Sequence, residues 1–257
     1  MPETIRLLEP ADQHQHSRLM AHAFGKGRVV PAPDPDAAPS PSLAYTWGIF
    51  EGDRLLASCI LNPFEVCWPD PGPDPGDRRL RMGGVGGVAT WADQRGKGHV
   101  DRLLRHSLSA MRDSGQVVSS LYPFAFSFYR RLGWEWTGEH RRLRLPLREL
   151  PRAMPAGWRV EPLEGDVAAV RAVLEPLWSA HARRVRGAFP SDHHQWDGRL
   201  SHSGDRTTYP YVARDASGAA RGYLLWRYAD QDRGEVRLWV SGDADTDAAL
   251  LTLLRDF

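Results

Sequence analysis

The chain is poor in cysteine and has no surplus of either charge. Only Cys59 and Cys67 are present among its 257 residues. Two thiols in one strand-like stretch do not build the disulfide framework of a small secreted domain, and they read as buried, reduced thiols of a cytoplasmic protein. Lys and Arg total 33 against 32 Asp and Glu, a formal net charge of +1. Without a basic excess there is no electrostatic footprint for nucleic acid, and without an acidic excess there is no solvating tail. No apolar run approaches the roughly 20 residues that span a bilayer. The opening MPETIRLLEPADQHQHSRLM lacks the apolar core and cleavage site of a secretory leader. His14 with His16, and His193 with His194, have no Cys or His partner at zinc-type spacing, so no metal site is expected.

What is present is organised as two units. In residues 1–147 the apolar periodicities read β-α-β-β-β-α-β-α-β, beginning with TIRLLEP and ending with a strand into RRLRLPL. A hairpin flanks Gly52-Asp53. Prolines interrupt residues 30–42 and deny them regular structure. A Pro-rich linker covers 148–157. The second unit, 158–257, repeats the element order of the first up to its fourth strand and then starts a helix. The run HARRVRGAF reads as a basic, solvated helical face. Asp192, Trp196 and Asp197 could meet a cationic amine.

The stretch VGGVATWADQRGKGHVDRLLRHSL carries the most chemistry. A glycine-rich strand runs into a Gly/Arg/Lys turn and then into a helix whose core face is Val100, Leu103, Leu104, Leu108 and Met111. Glycine inside the strand marks a bulge or a close backbone approach. A dinucleotide fingerprint fits poorly, because those glycines lie within the strand and do not open a helix. A P-loop requires G-K-[ST], and here Lys97 is followed by Gly98. The remaining pattern, RGKGHV, suits an anion at a helix start. The first turn of a helix leaves backbone N–H groups without partners, and the dipole favours negative charge there. Gly96 and Gly98 clear the approach, while Arg95 and Lys97 add positive charge. Each dipole contact contributes about 0.3–1 kcal/mol when exposed, so several must act together to hold a diphosphate.

With β-α-β-β before this turn and β-α-β after it, the sequence resembles the GNAT acyltransferases, and within them the Eis (enhanced intracellular survival) type. The pieces that carry the resemblance are GGVGGVATWADQRGKGHVDRLL and LYPFAFSFYRRLGWEWTGE. It implies an α/β (α+β) GNAT fold in tandem: a catalytic domain over 1–147 and a degenerate, incomplete second unit over 158–257 that walls the substrate cleft. That unit has no Arg/Lys-Gly turn, and the three aspartates of SGDADTDAALL repel an anion, so no cofactor is expected there. Acetyl-CoA is the implied co-substrate. The backbone of Val88, Ala89 and Thr90 would pair with its pantetheine arm. The loop of Arg95, Gly96, Lys97, Gly98, His99, Val100 and Asp101 would wrap its diphosphate, and Phe124 and Ala125 would meet its thiol end. Many GNAT chains carry Gly or Ala where Val100 stands.

Acetyl transfer to an amine needs a proton for the leaving thiolate. A tyrosine, with an ordinary pKa near 10, is protonated at neutral pH and can supply one. The resemblance implies Tyr129 in that role. It also implies that the base is a terminal carboxylate on a third, sterol-carrier-like domain, so a sequence ending at Phe257 reads as a fragment. Glu135, Glu139 and His140 are local substitutes. The implied acceptor is a primary amine of small-molecule or peptide type (aminoglycoside, lysine or polyamine-like), and the implied assembly a hexamer. The competing reading is a GNAT-fold module that binds acyl-CoA without turnover. A nucleotide-binding oxidoreductase fails on strand order.

Overall fold

The structure is a computed structural model. It describes residues 2–25, 29–32, 34, 38–71, 76–139, 142–193, 196–200, 207–230 and 233–257. It divides into two units, Met1–Glu65 with Leu80–Gly138, and Val66–Arg79 with Glu139–Phe257. His140 and His194 lie outside the described residues, as does part of the proline-interrupted 30–42 stretch.

The first unit holds β1 (Glu3–Leu7), α1 (Gln13–Phe24), β2 (Thr46–Glu51), most of β3 (Arg54–Cys67) and of β4 (Arg79–Thr90), α2 (His99–Asp113), β5 (Val118–Leu121) and α3 (Phe126–Arg130). Its sheet runs β1-β2-β3-β4-β5. The β1/β2 and β2/β3 pairs are antiparallel, and β5 joins β4 in parallel. Neighbouring residues on a strand face opposite sides, and the sequence supplies apolar pairs for both. Ile49 and Leu56 enter the core under α2 with Leu103, Leu104 and Met111. Their neighbours Phe50 and Leu55 enter the core under α1 with Leu19. A side chain at Gly83 would lie 2.1 Å from the Met111 sulfur. That glycine is the close approach which lets α2 settle on the sheet.

The second unit has β6 (Arg159–Pro162), α4 (Val167–Ala182), α5 (Trp196–Leu200), β7 (Tyr209–Arg214), β8 (Ala220–Tyr228), β9 (Gly234–Val240) and α6 (Ala244–Leu254). Its antiparallel sheet runs β6-β7-β8-β9. Part of the 148–157 stretch packs here. Leu150 and Met154 lie against the α6 core, and the Arg255 guanidinium donates to the Leu150 carbonyl at 2.8 Å.

Three expectations need correction. The last strand of the first unit is absent among the described residues: 142–146 have no regular structure, and Leu143 and Leu145 are 81% and 60% exposed. Period-two alternation shows which residues would share a face, but a strand also needs a ladder partner, and Pro146 brings no N–H to one. The basic run around residue 184 is not helical, because α4 ends at Ala182 with Arg183 as its C-cap. Trp196 is buried in the second unit's core, and Asp192 pairs with Arg79 at 3.3 Å, so this pair is not laid out as a face for an amine.

Candidate active site

β4 and β5 pair only from Met82↔Val118 to Val85↔Leu121. Beyond that point β4 continues alone on this side through Gly87, where φ is +54°, to Val88, Ala89 and Thr90. On its other side it stays tied to β3. The Thr90 hydroxyl and the Trp91 N–H both donate to the Leu56 carbonyl, at 3.2 and 3.3 Å. Ala89 is buried, while Val88 and Thr90 are half-buried. The stretch predicted to receive an extended arm is therefore anchored along one edge and splayed from its neighbour along the other.

The turn follows directly. Gly96 and Gly98 have φ of +78° and +80°. A side chain at either would meet nothing within 4 Å. These glycines answer to backbone conformation, not to packing, because L-residues with a Cβ rarely adopt that region. Gly98 caps α2 and has no side chain to give it. The first bond into the helix runs from the Arg102 N–H to the Gly98 carbonyl at 3.1 Å. The backbone N–H groups of residues 96–101 donate to no acceptor among the described residues. The Arg95 guanidinium likewise has no partner among them, and Arg95 is exposed. Lys97 donates to the side-chain oxygen of Gln94 at 3.0 Å.

Not every residue of the loop faces outward. His99 is 3% exposed, and Val100 packs on the α2 core. The Asp101 carboxylate is taken by Arg105 at 2.8 Å and by Arg131 at 3.1 Å, which leaves its backbone N–H for an anion. The Arg131 guanidinium also sits 4.5 Å over the Phe128 ring. This cation ties the end of α3 to the start of α2, joining two segments that the sequence singles out separately.

Tyr129 lies on α3 and is 3% exposed. The rings of Phe124, Phe128 and Trp134 surround it edge-on at 5.3, 5.3 and 6.3 Å. Its hydroxyl bonds to no group among the described residues. Burial pushes its phenol above the ordinary value, and the nearby Cys59 thiol adds to the effect. Such a phenol stays protonated at neutral pH and has a proton to give. Phe124 is 69% exposed while touching Tyr129, and Ala125 is the extended residue that caps α3. Of the local bases, Glu135 is engaged by Arg130 at 2.9 Å and Glu139 also has a partner.

Sequence reasoning missed the residues that brace the turn: Glu3, Asp93, Gln94 and Arg102. Gln94 was visible beside the glycines. Glu3 is far from Arg102 in sequence, and only the pairing of β1 into the sheet brings them together.

Residues 4–137, more than half of the chain, match the model of the acetyltransferase (GNAT) domain family. The chain belongs to the GNAT acetyltransferases. Among curated proteins, this GNAT chain is similar to an uncharacterized N-acetyltransferase of Streptomyces griseus, 25% identical over 86% of the chain and 55% of the relative. Another, from Streptomyces avermitilis, is 28% identical over 73% and 45%. The chain thus spans about half the length of these relatives. Solved structures with the same GNAT fold include a probable N-acyltransferase from Enterococcus faecalis V583, with a TM-score of 0.74 and 17% identity over 100% of this chain and 63% of that one. Eis1 from Mycobacterium abscessus aligns with a TM-score of 0.65 and 17% identity over the same shares. At these identities the likeness speaks to fold alone.

Proposed function

We propose that this chain is an N-acetyltransferase of the Eis type that moves acetyl from acetyl-CoA to a primary amine by direct attack. The observation that carries the reading is the run of unbonded backbone N–H groups over 96–101, at the start of a fifteen-residue helix. Donors left open in this way suit a diphosphate, and the uncompensated charges of Arg95 and Lys97 suit it further. Open space over Gly96 and Gly98 fits a bulky anion there.

Bound acetyl-CoA would supply an acetyl group already activated as a thioester. The chain's own residues do the rest. The amides of residues 96–101 hold the diphosphate, with Arg95 and Lys97. The free edge of Val88, Ala89 and Thr90 takes the amide-bearing arm as an added strand would be taken. Phe124 and Ala125 border the reacting end. The Tyr129 hydroxyl donates its proton to the leaving sulfur, and its raised pKa keeps that proton in place until it is needed. The acceptor class is a primary amine such as an aminoglycoside, a lysine side chain or a polyamine. We assign the chemistry to the 1–147 domain, in a cytoplasmic, oligomeric protein. The Eis type rests on the two motif stretches that carry the resemblance; the Eis1 structure shares the fold over the whole of this chain.

Release of free thiol from acetyl-CoA with a panel of amines tests the proposal, and is expected for at least one of them. Binding of acetyl-CoA without release would instead make the chain a binding module. Absence of binding at saturating ligand would remove the assignment.

A further inference from the structure

The cations around the turn are of three kinds: Arg95 has no partner among the described residues, four arginines meet carboxylates, and Lys97 meets a neutral oxygen. Arg54 meets Asp93 at 2.8 Å, Arg102 meets Glu3, and Arg105 and Arg131 meet Asp101 at 2.8 and 3.1 Å. Each of these four meets a carboxylate, with Arg105 and Arg131 sharing one. Lys97 is held differently, on the neutral side-chain oxygen of Gln94 at 3.0 Å.

Gln94 is 8% exposed, and its orientation follows from its neighbours. A guanidinium can only donate, so the His99 Nδ1 that lies 2.8 Å from Arg102 is an acceptor. The ring proton is then on Nε2, which donates to the Gln94 Oε1 at 3.3 Å. The same oxygen accepts from Lys97. The Gln94 amide nitrogen donates to Asp93 at 2.7 Å. Glu3, 3.5 Å from the His99 Nδ1, accepts from Arg102 on the exposed side. Each side chain in this chain of bonds thus has its partner. Its effect is to fix an ammonium without cancelling its charge. A carboxylate at position 94 could accept from the same donors but would neutralise Lys97.

We infer that Gln94, itself held by His99, is a positioning residue that presents the charge of Lys97 to the diphosphate of acetyl-CoA. The inference rests on the transferase reading above and deepens it at the same site. An unanchored lysine has side-chain entropy to lose when it meets an anion. Anchoring through a neutral acceptor settles part of that loss before the ligand arrives.

The test is a double-mutant cycle read by calorimetric titration of the whole chain with acetyl-CoA. Gln94→Ala and Lys97→Met are each expected to weaken binding about 10-fold, with the double variant no weaker than Lys97→Met alone, because Gln94 acts through that lysine. S-acetylpantetheine, which has no diphosphate, should bind all four proteins equally. Gln94→Glu should also weaken acetyl-CoA binding about 10-fold. Additive losses in the cycle, an equal loss with S-acetylpantetheine, or wild-type affinity in Gln94→Glu would each overturn the positioning role while leaving the transferase reading intact. If the unmutated chain does not bind acetyl-CoA, both fall together.

Discussion

The helix that follows the fourth strand starts in opposite ways in the two units. In the first unit α2 opens behind Gly98, and its leading amides are bonded to nothing among the described residues. In the second unit α6 opens behind Asp243, whose carboxylate accepts from the Thr246 N–H at 2.7 Å and from the Thr246 hydroxyl at 2.8 Å. Asp245 and Asp247 follow in the first turn of α6, and Asp247 also accepts from the Trp239 indole at 2.8 Å. One sheet-and-helix plan thus serves two ends. A helix start supplied with its own carboxylate is finished, and it gains stability from the dipole. A helix start left bare forgoes that gain and leaves its donors open, which suits the proposed anion site.

Three changes probe this contrast, and the largest effect is expected away from the helix start. The second unit has no counterpart of β5 and α3 among its described residues, so the proposed proton donor has no equivalent there. Tyr129→Phe is expected to lower turnover about 10²–10⁴-fold while acetyl-CoA affinity, read by calorimetry, changes little. Near-normal turnover would take Tyr129 out of the role.

Next comes Gly98→Asp, which gives α2 an acidic cap of the kind α6 already has. Asp tolerates positive φ better than most residues, and its carboxylate would stand at the proposed anion site. Acetyl-CoA affinity is expected to fall about 100-fold, or about 2.7 kcal/mol. Unchanged affinity would show that the open start is not where the diphosphate sits.

The smallest effect belongs to Asp243→Ala. Loss of the cap should lower stability by about 1 kcal/mol in thermal or urea melts and leave acetyl-CoA affinity unchanged. Hydrogen bonds from the Thr246 backbone and side chain hold the Asp243 carboxyl below the ordinary carboxylate range. A carboxyl depressed in the fold stabilises above its unfolded pKa, and that stabilisation is lost as pH falls through the folded value. The gap between wild type and Asp243→Ala should therefore be full at neutral pH and shrink below about pH 4. A gap that persists in acid would mean that the carboxylate is not the capping group.

Local pattern carried much of this architecture. The strand-turn-helix over residues 79–113, the hairpin at Gly52-Asp53 and the four-strand order of the second unit all follow from short-range periodicity and turn chemistry. The glycines of the turn were legible because positive φ leaves few other choices. Three features were not legible, and each depends on distant partners. Residues 142–146 alternate like a strand, but nothing local reveals whether a ladder partner exists. Trp196 belongs to the second unit's core only because α4 and β8 pack around it. Gln94 is a spacer beside the glycines until β1 delivers Glu3 to Arg102, whose guanidinium meets the His99 ring that bonds Gln94.

Cys59 shares the core of α2 and Tyr129, fully buried, with its sulfur 3.3 Å from the Ser107 hydroxyl. Burial pushes its thiol up to about 11, so only ~10⁻⁴ of it is thiolate at neutral pH. A soft nucleophile beside the proposed centre for acyl chemistry would ordinarily compete for the acyl group or react with oxidants. Here it is both sequestered and protonated, so labelling by an alkylating reagent would report transient opening of this core.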